Sequence, residues 1–150
     1  MQLTNLIKTQ RIKPDGSGFG VAAGTSDLTS DVIDTAGYEG VRILLGFGVI
    51  TTGALTSAKV AQCDTSGGSY ADLEGTKVTV ADDDDSQVVV IDIHRPRERY
   101  LEVLIDRGTQ NAVVDFCIVE YYGSSTIPAA NSDATVVATE LHVSPAEGTA

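Results

Sequence analysis

The sequence predicts an all-β protein: a single antiparallel β-sandwich, jelly-roll-like, with extended N- and C-terminal arms. Three observations predict it. Short β-branched, apolar runs recur about every ten residues. Turn-forming residues separate them, with 15 Gly and 4 Pro in a chain of 150 residues. No run between them has the length and 3.6-residue period of a helix, which argues against a βαβ architecture. A chain of 15.7 kDa can bury roughly 70% of its unfolded surface without disulfides or a metal.

The expected organisation has three parts. Residues 1–24 form an N-terminal strand or arm and a loop. Residues 25–128 form the sandwich, and residues 129–150 form a C-terminal extension. Lys8, Arg11 and Lys13 make the first stretch basic inside an acidic protein. Gln10–Gly24 is Gly-rich and polar and reads as a loop. Its Gly16-Ser17-Gly18-Phe19-Gly20 core does not lead from a strand into a helix and lacks Gly-Lys-Ser/Thr, so it is not a phosphate cradle.

In the sandwich, Val41, Ile43, Leu45, Phe47 and Val49 fall on one face at period two, opposite Arg42, Gly46 and Gly48. The outer-face glycines invite close backbone approach. Thr51–Ala54 is a turn, Ser57–Cys63 a less clearly patterned strand, and Asp64–Ser69 a loop. Tyr70–Leu73 is short and extended, and Lys77–Val80 alternates. Ala81–Ser86 is an acidic tip. Gln87–Ile93 is nearly continuously β-branched, as expected of a strand buried on most of both faces. After the His94–Glu98 interruption, Arg99–Ile105 directs Leu101, Val103 and Ile105 to the core. Arg107–Asn111 is a turn. Ala112–Tyr122 is the longest strand, with Val114, Phe116, Ile118 and Glu120 on one face and Val113, Asp115, Cys117 and Val119 on the other. Beyond it, Thr135–Val143 offers a late strand, and Ser144–Ala150 is expected to be disordered on its own.

Charge and motifs exclude several functions. Ten Lys plus Arg against 21 Asp plus Glu give a formal charge of −11. That balance argues against nucleic-acid binding, which needs a basic face, and against attachment to anionic lipid. No signal-peptide core opens the chain and no apolar stretch is long enough to span a membrane, so a soluble, cytoplasmically made protein is expected. Cys63 and Cys117 read as buried free thiols. His94 and His142 are the only histidines, without a nucleophile elbow or metal-ligand spacing. Four consecutive carboxylates, Asp82–Asp85, cannot all converge on one Ca²⁺, so a solvated tip is the reading. No enzyme activity, cofactor or metal is therefore expected. Arg95, Arg97 and Arg99 alternate across a strand start, and at period two they would point to one side. They suit carboxylates on a partner, with internal pairing to Asp and Glu as the alternative.

One resemblance covers roughly Asp31 to Pro128. It rests on Ile33-Asp34-Thr35-Ala36-Gly37-Tyr38-Glu39-Gly40-Val41, on Gln62-Cys63-Asp64-Thr65-Ser66-Gly67-Gly68-Ser69-Tyr70-Ala71-Asp72-Leu73, and on Arg97-Glu98-Arg99-Tyr100-Leu101-Glu102-Val103. In this order the segments resemble the head decoration (cement) proteins of tailed phages, small β-sandwiches encoded near the major capsid gene. Glu102, where that family is usually basic, and the long tail from Ala129 depart from the pattern. The resemblance implies a structural virion protein on the capsid exterior, often a homotrimer, whose partner is the major capsid protein. Lys8, Arg11, Lys13, Arg95, Arg97 and Arg99 are then the candidate partner-binding residues. A host-surface or glycan-binding virion module is the alternative, and Tyr38, Tyr70, Tyr100, Tyr121 and Tyr122 would be its stacking platform.

Overall fold

The computed structural model describes residues 2–131, 133–144 and 146–149. The outermost residues of the two expected arms, Met1 and Ala150, lie outside these, as do Ser132 and Pro145. In chain order the strands are β1 (Lys8–Ile12), β2 (Val21–Gly24), β3 (Leu28–Thr29), β4 (Ile33–Asp34), β5 (Gly40–Ile50), β6 (Thr56–Cys63), β7 (Ala71–Asp72), β8 (Val78–Val80), β9 (Val88–His94), β10 (Tyr100–Asp106) and β11 (Ala112–Tyr122).

They form two antiparallel sheets. The first has the order β1-β11-β5-β9, with β2 also paired to β11. The second has the order β3-β10-β6-β7, with β4 on β10 and β8 on β6. From β5 onward the chain passes from the first sheet to β6–β8 in the second, back to β9, across to β10 and back to β11, crossing between the sheets as in a jelly roll. Apolar side chains from both sheets meet in one core. Val41, Ile43, Leu45 and Phe47 of β5 face Leu101, Val103 and Ile105 of β10 and Val60 of β6, all essentially inaccessible to water. Burying each such side chain is worth roughly 1.5–3 kcal/mol.

The period-two reading holds for β10 and for β5 as far as Phe47, then fails. Val49 is 65% exposed and Ile50 is 4% exposed, the reverse of the expected order. The cause lies in the register with β11. Between the Phe116–Gly46 and Val114–Phe47 pairs, β11 carries one extra residue, Asp115. Between Val114–Phe47 and Ala112–Ile50 the extra residue is on β5. A bulge turns the following side chains to the other face. Thus β11 buries Ala112 and Val114, then Cys117, Val119 and Tyr121, a set drawn from both faces expected for it. Gly48 sits at the bulge, where an added Cβ would lie 2.8 Å from Asp115 Oδ1.

The run Gln87–Ile93 is not a strand buried on both faces. β9 is the end strand of its sheet, and Val88 and Val90 are about half exposed at 48% and 47%. One face of an end strand packs on the core through Val89, Ile91 and Ile93; the other faces water.

The N-terminal stretch is built into the sandwich. β1 runs beside β11, and Ile12 belongs to the core. No strand forms at Thr135–Val143. That segment buries no apolar face, and Val137 and Val143 are almost fully exposed. Side chains of the tail instead satisfy the outer edge of β1: Thr9 N–H donates to Asn131 Oδ1 at 3.2 Å, and Arg11 N–H donates to Thr135 Oγ1 at 2.9 Å. Asn131 also donates to the Thr4 carbonyl at 2.7 Å.

Candidate functional site

The six basic candidates fall into two groups. In the first, Lys8 lies 3.7 Å from Asp133 and sits over the Tyr121 ring at 5.1 Å. Arg11 and Lys13 flank the ring of Phe19, at 5.1 and 6.0 Å from its centroid. The Gly-rich loop folds back to supply that ring. Asp15 holds the loop by accepting hydrogen bonds from the N–H groups of Ser17 and Gly18, both at 2.9 Å. Those bonds lower the Asp15 pKa to about 2.

In the second group, Arg95, Arg97 and Arg99 lie in the bend between β9 and β10. They do not form the one-sided row that strand geometry would give. Arg95 donates two hydrogen bonds to Glu39 Oε1, at 3.2 and 2.8 Å. Arg99 forks onto Asp34, with bonds of 2.7 and 2.8 Å, and stacks on Tyr100 at 4.9 Å. Both carboxylates are held below their ordinary pKa by these guanidinium hydrogen bonds. The internal pairing weighed as an alternative therefore accounts for two of the three arginines. Arg97 is exposed and makes no ion pair among the described residues.

The register brings the ends of these groups near one another. Lys8 pairs with Tyr121, which pairs with Val41, which pairs with Ile93 beside His94. Lys8 and Arg99 both act on the Asp34 carboxylate. Tyr122 extends this charged end: its hydroxyl donates to Asp92 Oδ1 at 2.6 Å and lies 3.4 Å from His94 Nδ1. Burial, followed by that bond, raises the Tyr122 pKa to about 12. Arg11, further along β1, and Lys13, just beyond it, lie away from this end. Asp34, Glu39 and Asp92 were not candidates from sequence, since each acquires its role by pairing with a residue distant in the chain; Tyr122 was a candidate for stacking, not for this network.

The tyrosines do not assemble into one stacking platform. Tyr121 is core, 2% exposed, with Tyr38 packed on it at 5.1 Å between ring centroids. The Tyr70 hydroxyl donates to the Ser66 carbonyl on the loop after β6.

The acidic tip is more than a solvated run. Asp85 accepts from Ile50 N–H at 2.6 Å, Asp82 from Gly53 N–H at 2.7 Å, and Asp84 from Ala81 N–H at 2.9 Å. Asp82 and Asp85 thus brace the end of β5 and the turn after it, while Asp84 closes the tip on itself. Among the described residues no group of three or more His, Cys, Asp or Glu is placed to hold a metal ion. Cys63 and Cys117 are free and buried, and burial raises the Cys117 thiol pKa to about 12.

Fold and surface together define the class: an antiparallel jelly-roll β-sandwich with ion pairs at one end. No family model matches the chain, and no curated protein matches it. Among solved structures it is similar to one described as the structure of infectious bursal disease virus Gx strain, at 13% identity and a TM-score of 0.42. The match covers 83% of this chain and 34% of that chain, so this chain spans about a third of its length.

Proposed function

We propose that this protein is a non-enzymatic decoration (cement) protein of a virion, binding the outer capsid surface and bracing it across subunit boundaries. One observation carries the reading. The three segments that resemble phage decoration proteins lie far apart in sequence but converge on neighbouring strands. Asp34 of β4 pairs with Tyr100 of β10, Tyr100 pairs with Cys63 of β6, and Gln62 pairs with Ala71 of β7. Turn chemistry alone gives no reason for such convergence. The major capsid protein is the proposed partner, with a homotrimer as the acting form and the virion exterior as its location. Several modest contacts spread over a trimer would combine into firm attachment. The division of the tyrosines favours this reading over the glycan-binding alternative.

Truncation before Lys13 is a poor test, because it removes β1 and the core residue Ile12. Arg97→Glu and Lys13→Glu are better suited. Co-sedimentation with capsids assembled from the major capsid protein of the neighbouring gene is expected for the parent chain. Arg97→Glu should bind at least about tenfold more weakly, a loss of roughly 1.4 kcal/mol, with an unchanged thermal midpoint. No co-sedimentation of the parent chain, or no major capsid gene beside this one, overturns the proposal.

A further inference from the structure

The outer edge of β9 is unlike the other sheet edges among the described residues. The edge of β1 is satisfied by tail side chains, and β2, β3, β4, β7 and β8 are two to four residues long. β9 is seven residues long, β-branched, and without Pro, Lys or a bulge. Those are the devices that normally blunt an edge. Its hydrogen-bonding directions follow from the register. Arg95 N–H donates to the Glu39 carbonyl at 2.8 Å, and Phe47 N–H donates to the Gln87 carbonyl at 3.0 Å. Alternation along an antiparallel ladder then turns the backbone groups of Gln87, Val89, Ile91 and Ile93 toward β5. Those of Val88, Val90, Asp92 and His94 point away from the sheet.

Charge along this edge identifies the occupant. The strand is entered from the acidic tip, runs through exposed valines, and leaves into Arg95 and Arg97. An antiparallel copy of the same strand reverses that order. Pairing Val90 with its own copy sets the acidic-tip end of one β9 beside the arginine-bend end of the other, twice by symmetry, with Asp83 and Arg97 the exposed charges there that no ion pair engages among the described residues. Asp83 is exposed and accepts no hydrogen bond among the described residues. We propose that β9 is a two-fold self-association edge, through which a second copy of this chain extends the first sheet across the dyad. An isologous contact of this kind closes on itself. Particles built with it hold an even number of chains: two, or six where two of the homotrimers proposed above join across this edge. This proposal does not depend on capsid binding and is tested without capsids.

The test is the mass of the full-length chain in solution, by sedimentation equilibrium at low salt. An even-numbered particle is expected, weakening as salt screens the paired charges. Val90→Pro removes an outward N–H that the sheet does not use, so the fold should survive while the particle dissociates. Val90→Lys is the second variant, should the proline prevent folding, and is expected to raise the dissociation constant by at least about tenfold. Asp83→Lys should also weaken association, and Asp83→Lys with Arg97→Glu should restore it. A parent chain of one or three copies overturns the proposal. So does an even-numbered particle indifferent to both Val90 variants, or a double charge exchange that fails to restore association.

Discussion

At the residue scale, the side chain that most departs from its sequence context is Arg107. It reads as part of a polar turn, yet it is 5% exposed. Its guanidinium donates to the carbonyls of Ser26 and Ala22, both at 2.8 Å, and of Ala112 at 3.1 Å. It fastens the loop around β2 to the start of β11, and lies so close to Gly24 that an added Cβ there would be 2.9 Å from it. Arg107→Ala should leave three carbonyls without their donor and cost roughly 3 kcal/mol, or about 10 °C in thermal midpoint for a chain of this size. A shift of less than about 3 °C would show that solvent replaces these bonds. The Asp34–Arg99 pair gives a second prediction. The folded-state pKa of Asp34 is lowered, so its stabilisation is complete above the ordinary carboxylate range. It is lost as pH falls through the depressed folded value. Urea titrations between neutral and strongly acid pH should find Asp34→Asn losing less stability than the parent. Because the pair is about half exposed, the difference should stay under about 1 kcal/mol. A variant more acid-sensitive than the parent would contradict the sign.

Elements were legible in sequence where one face is buried and nothing interrupts the alternation. β10 is the clear case: Leu101, Val103 and Ile105 are core. The β11 bulge was invisible because, Asp115 apart, Val113–Val119 is apolar on both faces, so neither alternation stands out as the buried one. β9 was misjudged because apolar continuity says nothing of a strand's place in its sheet, which topology decides. The tail shows the opposite case. Thr135 and Asn131 carry no strand signal, but their side chains take the place of a neighbouring strand along β1. Thr135→Val should therefore raise hydrogen exchange of the Arg11 amide by about tenfold, the loss of roughly one hydrogen bond, while β5 and β11 amides stay protected. Unchanged exchange at Arg11 would mean that the tail does not guard this edge in solution.

Across the whole molecule, the formal charge of −11 is the sum of an uneven surface. Basic residues concentrate along β1 and its loop and in the bend after β9; the acidic tip braces the turn after β5. The candidate site was half legible. Its basic residues stood out against an acidic background, but which of them are internally neutralised depended on partners 56 and 65 positions away, Glu39 for Arg95 and Asp34 for Arg99. Sequence reading locates charges; the jelly-roll winding decides which remain available to a partner. Arg97, on these grounds, is the arginine whose replacement should affect binding without affecting folding.

The two irregularities between β5 and β11 are opposite in sense, one extra residue on each strand. Together they restore the pairing register on the far side of the disturbed region, while each strand exchanges its core face once. The two sites are more than sixty positions apart in the chain, yet the ladder returns to its original alignment only because both are present.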